Sequence, residues 1–409
     1  MHTSFPKEKI KILLLEGIDQ SAIELFERSG YSNIEHYSKA LPEAELIEKL
    51  DDVRILGIRS KTQVTQNVIA QTDKLLAVGC FCIGTNQVNL NKATDAGIAV
   101  FNSPYSNTRS VAELVIAEII MLIRRIPEKD KACHEGVWLK TTKGGSNEVR
   151  GKILGIIGYG HIGSQVSVLA EAMGMKVIYY DIEPKLPMGN AIPSETLEEL
   201  LEKADVVTLH VPATPLTKNM INAETLAIMK RGAILLNLSR GNVVVIEDLQ
   251  EALLSKQISG AAIDVFPSEP ESVGASFLSP LQGLKNVILT PHIGGSTEEA
   301  QSNIGLDVAH KLIGYLDKGS TVGSLSIPEL NLAPVHGTHR ILHIHKNVPG
   351  MLTAINSVLS ASNVNIVGQY LKTNEQIGYV VLDIEDLHSE KILQDIRNID
   401  NTIKARILY

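Results

Sequence analysis

The stretch L-G-I-I-G-Y-G-H-I-G-S at 154–164, answered by K-V-I-Y-Y-D at 176–181, decides the fold. An apolar strand runs into a glycine turn, a helix follows, and a second strand ends in an acid. Gly158, Gly160 and Gly163 are spaced as G-x-G-x-x-G. A side chain at Gly158 would obstruct the tight turn. One at Gly160 would hold the backbone away from a pyrophosphate, and one at Gly163 would separate helix from sheet. His161 and Ile162 open the helix, whose amino end suits phosphate charge. Asp181 lies 23 residues after Gly158. It can accept hydrogen bonds from the adenosine ribose hydroxyls and would repel a 2′-phosphate, so the segment predicts an NAD site in preference to NADP. Lys185 nearby reads as a solvated charge.

Working outward, strands alternate with helices, which implies parallel sheets flanked by helices. Upstream, 10–15 reads as a buried strand and 19–29 as the helix after it. Short strands are expected at 55–57, 75–78 and 98–101, so the first hundred residues form an α/β unit without its own glycine fingerprint. A long helix is expected over 108–125. Downstream, 204–210, 233–237, 260–264 and 287–289 extend the buried sheet. Ser296 and Thr297 precede Glu298 and Glu299 and are cap candidates for a helix reaching about residue 316. That helix would return the chain to the first unit, making the outer domain discontinuous. Beyond a Gly/Ser/Pro-containing connector, strands at 340–345, 363–370, 378–384 and 402–408 and helices at 349–362 and 389–399 give the order β-α-β-β-α-β, a split βαβ module.

The chain has 409 residues, 44% of them hydrophobic, and a formal net charge of −8. That length suits two to four domains, and the mild acidity argues against a bulk nucleic-acid binder. The N-terminal segment lacks the apolar core of a secretory signal, and the apolar run 114–123 is too short to span a bilayer. Cys80, Cys82 and Cys133 do not make a disulfide framework and read as reduced thiols in a cytoplasmic protein. No metal site is expected: C-x-C has no second pair, and strand alternation explains His343 and His345.

Polar groups for hydride-transfer chemistry follow strand ends, where ligands of open α/β sheets gather. His292, in T-P-H-I-G-G-S, can exchange a proton with a substrate hydroxyl. Glu269, in D-V-F-P-S-E-P-E, could orient that imidazole and stabilise its protonated form. Glu271 competes for this role, and spacing does not choose between them. Arg240, in N-L-S-R-G, can clamp a carboxylate and polarise a neighbouring carbonyl.

These motifs, with V-A-E-L at 111–114, L-H-V-P at 209–212 and A-A-I-D-V-F-P-S-E-P at 261–270, resemble those of the D-isomer-specific 2-hydroxyacid dehydrogenases. More closely, the whole chain resembles the ACT-domain-containing D-3-phosphoglycerate dehydrogenases of bacterial serine synthesis. The resemblance implies a Rossmann-type NAD-binding domain at 108–296 and a flavodoxin-like substrate-binding domain at 1–107 and 297–333. It also implies a ferredoxin-like ACT domain at 338–409. Arg240, Glu269 and His292 become the catalytic set, which resolves the choice against Glu271. Cofactor contacts fall on His161, Ile162, Asp181, Leu238, Ser239, Arg240, Asp264, His292, Ile293, Gly294 and Gly295, with Asp264 near the nicotinamide carboxamide. Arg59, Ser60, Lys61 and Asn107 would bind substrate, and Trp138 and Lys140 would reach towards a neighbouring subunit's active site.

The implied reaction is NAD-dependent oxidation of 3-phospho-D-glycerate to 3-phosphooxypyruvate, with 2-oxoglutarate reduction as a side activity. The ACT module implies L-serine as effector at His345, Asn347 and Asn365, and the family implies a homotetramer. Another D-2-hydroxyacid dehydrogenase, or a non-catalytic NAD-binding metabolite sensor, is the alternative. One departure stands out: Gly337-Thr338 and His339-Arg340 occupy positions where such proteins often carry Gly-Gly and paired arginines. A different hinge or anion response is expected from it.

Overall fold

A computed structural model describes residues 5–140, 145–270, 274–334, 337–385 and 389–408. The chain folds as two compact units. One reaches to Ser106 and resumes at Gln301; the other runs from Asn107 to Ala300.

The first unit opens with strands β1 (Lys11–Leu14), β2 (Ile34–His36), β3 (Val53–Ile58), β4 (Ala77–Cys80) and β5 (Ala99–Asn102). They form one parallel sheet in the order β2-β1-β3-β4-β5, the flavodoxin-like order. Ile12, Leu13 and Leu14 are all fully buried, as expected of a strand covered on both faces. Asp19 caps the helix Gln20–Arg28 by accepting from the Ser21 N–H. β2 and the helices Glu43–Lys49 and Gln66–Ala70 were not expected. Each is too short for its hydrophobic period to stand out.

The second unit carries β6 (Ile153–Ile157), β7 (Lys176–Tyr180), β8 (Ile192–Pro193), β9 (Val206–Leu209), β10 (Ala233–Asn237), β11 (Ile258–Ile263) and β12 (Val287–Leu289). Their parallel order, β12-β11-β10-β9-β6-β7-β8, is that of a Rossmann sheet. The helix Thr108–Arg124 packs its Val111, Val115, Ile119 and Leu122 face into this unit's core. It stops one residue sooner than expected because Arg125 turns left-handed, at φ +54°, which ends a helix. A second helix, Ile126–His134, starts directly after it.

The helix Glu298–Lys318 follows, with the Thr297 hydroxyl accepting the Ala300 N–H. The last strands are β13 (His339–Lys346), β14 (Ile366–Thr373), β15 (Ile377–Ile384) and β16 (Thr402–Leu408). They make an antiparallel sheet in the order β14-β15-β13-β16, the ferredoxin-like arrangement. One face is covered by the helices Met351–Ala361 and Ser389–Arg397 through Ile355, Leu359, Ile392 and Ile396. The other face joins the first unit's core: Leu342, Ile344, Tyr379 and Val381 cluster with Phe101, Leu312 and Tyr315. Every residue of β15 is therefore buried.

Polar contacts close the same seam. Lys404 Nζ donates to the Leu75 carbonyl at 2.7 Å, and the Arg406 guanidinium lies 4.5 Å over the Tyr315 ring. Arg340 is buried and makes a bidentate pair with Asp383 at 2.6 and 2.8 Å. Its remaining nitrogen donates to the carbonyls of Lys318 and Ala333. It is thus a tie between strand and connector, with its donors committed inside the fold. No described helix is long and apolar enough to cross a membrane.

Candidate active site

The glycine loop follows β6, an inner strand of the Rossmann sheet between β9 and β7. Gly158 has φ +91°, and a Cβ there would stand 2.3 Å from the His210 carbonyl oxygen. A Cβ on Gly163 would stand 2.1 Å from the Gly158 carbonyl oxygen. Both positions are closed by backbone. Gly160 differs: a Cβ there would meet nothing within 4 Å. The space beside it opens at the amino end of the helix His161–Ala172, where backbone N–H groups lack intrahelical acceptors. A helix amino end of this kind suits an anion such as a pyrophosphate. Asp181, just past β7, accepts the Tyr159 N–H at 2.8 Å and so ties the acid to the loop. Lys185 pairs with Glu183 at 2.6 Å. His210 is neutral at pH 7, because burial depresses its pKa to about 3.

β10, β11 and β12 end together. Asn237 pairs with Ile263, and Ile263 with Leu289, in parallel register. Three loops therefore leave one edge of the sheet side by side. In the first, the buried Asn237 side chain accepts from the Ser239 N–H and hydroxyl and donates to the Arg240 carbonyl, fixing the turn that carries Leu238, Ser239 and Arg240. Gly241 lets this turn touch the second loop, since a Cβ there would lie 2.0 Å from the Phe266 carbonyl oxygen.

The second loop carries Glu269. One carboxylate oxygen accepts the Phe266 N–H at 3.0 Å, and the other is 2.8 Å from His292 Nδ1. With the carboxylate accepting, Nδ1 carries the ring hydrogen and Nε2 is left to accept a proton. Glu271 lies outside the described residues.

The third loop holds His292 at φ +54°, a conformation uncommon for a residue with a side chain. Asp264 maintains it. Its carbonyl accepts the His292 N–H at 2.9 Å, and its carboxylate accepts from the Thr290 hydroxyl and from the N–H groups of Ile293 and Gly294. Strain of this kind persists only where surrounding bonds over-determine it, and it clusters at functional sites. Asn107 joins the same unit's site. A Cβ on Gly295 would fall 2.3 Å from Asn107 Nδ2, and the buried Asn107 Oδ1 has no hydrogen-bond partner among the described residues.

In the first unit, Arg59, Ser60 and Lys61 follow β3. Their backbone is held by Glu16, which lies just past β1. Its carboxylate accepts the N–H groups of Arg59, Lys61 and Thr62 at 3.1, 3.0 and 2.8 Å. Sequence reasoning missed Glu16. The available signal was an acid placed directly after a buried strand, at the ligand-facing edge of a parallel sheet.

Residues 116–294 match the family model described as D-isomer specific 2-hydroxyacid dehydrogenase, NAD binding domain. Residues 341–404 match the AHAS small subunit-like ACT domain. The chain is 54% identical to D-3-phosphoglycerate dehydrogenase of Haemophilus influenzae over 406 residues, covering 99% of each chain. It is equally similar, over 408 residues and 99% of each chain, to that of Escherichia coli K12. The chain belongs to the D-3-phosphoglycerate dehydrogenase family. A solved D-isomer specific 2-hydroxyacid dehydrogenase from Lactobacillus delbrueckii, in its NAD-complexed form, superimposes with a TM-score of 0.66 at 26% identity. That match covers 75% of this chain and 97% of the other. This chain is an NAD-dependent D-2-hydroxyacid dehydrogenase with an ACT regulatory domain.

Two groups stand further from the family chemistry. Glu118, in the middle of the helix Thr108–Arg124, is buried and neither oxygen has a hydrogen-bond partner among the described residues. Burial first, and the charge of Asp264 second, push its pKa up to about 8. In the ACT module, His345 is buried and bonds the Lys346 carbonyl at 2.8 Å, while Asn347 donates to the Asn374 carbonyl. Asn365 does not join them. Glu385, next to the His339 end of β13, bonds it through the backbone. His345 and Asn347 lie at the other end, about 20 Å away along six strand steps. Trp138 is 83% exposed and Lys140 is also exposed.

Proposed function

We propose that this chain oxidises 3-phospho-D-glycerate to 3-phosphooxypyruvate with NAD, the first step of L-serine biosynthesis. The observation that carries the reading is the Glu269–His292 contact at 2.8 Å, set beside the Arg240 turn at the end of the Rossmann sheet. Arg240 takes the substrate C1 carboxylate and polarises the neighbouring C2 oxygen. His292 Nε2 accepts the C2 hydroxyl proton, and Glu269 stabilises the imidazolium that results. Bound NAD supplies the acceptor for the C2 hydride. Gly160 and the helix beginning at His161 hold its pyrophosphate, and Asp181 holds the adenosine ribose. Leu238, Ser239, Asp264, Ile293, Gly294 and Gly295 would line its remaining length.

Arg59, Ser60 and Lys61 receive the substrate phosphate. Supporting this, neither basic side chain has an ion pair among the described residues. Asn107, Trp138 and Lys140 complete substrate binding, the latter two for a neighbouring subunit. The second carboxylate of 2-oxoglutarate suits the phosphate site, which makes its reduction a side activity.

L-serine acts as a feedback effector at His345, Asn347 and Asn365. Because these residues stand at opposite ends of one sheet, a single serine needs two copies of the module. Edge strand β14, with Val367, Tyr370 and Leu371 exposed, supports such pairing. A homotetramer follows if the Rossmann units pair as well. The enzyme is placed in the cytoplasm.

The test is NADH oxidation with 3-phosphooxypyruvate, 2-oxoglutarate, glyoxylate and pyruvate in parallel, each with and without L-serine. Preference for 3-phosphooxypyruvate together with serine inhibition supports the whole reading. Preference for another oxoacid overturns the substrate assignment, and activity retained at saturating serine rejects the feedback role.

A further inference from the structure

Glu16 is a buried acid held by backbone N–H groups. It is 9% exposed, and among the described residues no Lys, Arg or His forms an ion pair with it. Its partners are three amides from one short segment. Oε1 accepts from Arg59 and Thr62, and Oε2 accepts from Lys61. A buried carboxylate is costly unless hydrogen-bonded in this way. Its backbone is also unusual, since φ is +66° at a residue with a long side chain, an arrangement found where function requires strain. From the other side, buried Gln87 donates Nε2 to the Arg59 carbonyl at 2.6 Å. The segment 59–62 is therefore pegged through its backbone at both its N–H and C=O groups.

This pegging has a chemical consequence. Successive backbone N–H groups at a strand end form a ready anion seat. Here that seat is already taken by Glu16. Any anionic ligand at this loop must be met by the side chains of Arg59, Ser60 and Lys61, projected from a backbone that cannot retreat.

We propose that Glu16 is a positioning residue for the distal phosphate of the substrate. It sets the discrimination between a phosphorylated 2-oxoacid and one with no distal anion. The inference rests on the reading that Arg59–Lys61 receive that phosphate.

The test compares Glu16→Gln, which keeps shape but replaces acceptor with donor, with Arg59→Ala and Lys61→Ala in the full-length enzyme. KM and kcat are measured for 3-phosphooxypyruvate, for glyoxylate, and for NADH. Glu16→Gln is expected to raise KM for 3-phosphooxypyruvate at least about tenfold, with kcat changed less than about threefold. KM for NADH and kcat/KM for glyoxylate should stay as in the parent enzyme. Glu16→Asp, which keeps the charge on a shorter arm, should fall between parent and Glu16→Gln, and it carries the comparison if Glu16→Gln does not fold.

An unchanged KM for 3-phosphooxypyruvate, or an equal loss with both oxoacids accompanied by a lower melting temperature, overturns the proposal. If Arg59→Ala and Lys61→Ala leave that KM unchanged, the phosphate reading itself fails. If they raise it and Glu16→Gln does not, only the positioning role is lost.

Discussion

Replacing the three loop glycines one at a time by alanine should separate binding from folding. A Cβ on Gly163 would lie 2.1 Å from the Gly158 carbonyl oxygen, and one on Gly158 2.3 Å from that of His210. Both are well inside the 3.0 Å that real Cβ contacts respect, and both obstacles are backbone. Overpacking costs about 1–3 kcal/mol. Gly158→Ala adds about 1–2 kcal/mol for a left-handed residue. For a unit of this size, each kcal/mol lowers the melting temperature by roughly 2–4 °C. Gly163→Ala should therefore melt roughly 2–12 °C early and Gly158→Ala roughly 4–20 °C early.

Gly160→Ala meets no protein atom within 4 Å and should melt with the parent. Its methyl group would stand in the proposed pyrophosphate path. NADH affinity should fall at least tenfold, about 1.4 kcal/mol. Calorimetry gives the first quantity and NADH fluorescence titration the second. Parent-like NADH affinity in Gly160→Ala would refute the placement of the pyrophosphate. A parent-like melting temperature in Gly163→Ala would refute the packing argument.

Glu118 makes stability pH-dependent. Its pKa rises from 4.5 to about 8 on folding, so between those values the folded chain keeps a proton that the unfolded chain has released. Stability must fall as pH rises through that window and level off above it. Glu118→Gln should flatten this slope and stabilise the protein by as much as about 5 kcal/mol at pH 8; the same difference in urea midpoint between parent and variant at pH 5, 6.5 and 8 would contradict it. Asp181 should give at least a tenfold preference for NAD over NADP in kcat/KM, and equal values would remove its assigned role. Asp264→Asn replaces an acceptor of the Gly294 N–H with a donor and should loosen the His292 turn. A drop in kcat of roughly 10–100-fold is expected, in the range typical of a lost positioned acid–base group, and an unchanged kcat would show that the turn holds without it.

The Rossmann sheet and the sheet edge that carries the candidate site were legible because their signals are local. Gly158, Gly160 and Gly163 lie within six residues, and Arg240 and His292 each stand three residues past an apolar strand, with Glu269 in the loop after another. The helix at 298–318 announced itself through Thr297 and two glutamates. What escaped was long-range. Glu16 acts on residues 43 to 46 positions away, and nothing beside it in sequence hints at that segment. Glu118 lies inside the apolar run 114–123, and only tertiary packing shows that its carboxyl is buried. The hinge departure suggested an altered anion response, yet Arg340 spends its donors on Asp383 and two carbonyls. His339 meets Ser389 at 2.6 Å. Sequence reports which cations are present but not which are already engaged.

The ACT sheet and the first α/β sheet share one hydrophobic cluster, with Leu342, Ile344 and Tyr379 lying against Phe101, Leu312 and Tyr315. An appendage joined by a tether can be gained or shed in evolution at little cost to its host. One whose removal would uncover the host's aromatic core cannot. Any descendant that lost the ACT module by truncation would also have to repair the exposed face. Loss of regulation in this lineage should therefore arise by point substitution within residues 338–409 more readily than by their deletion.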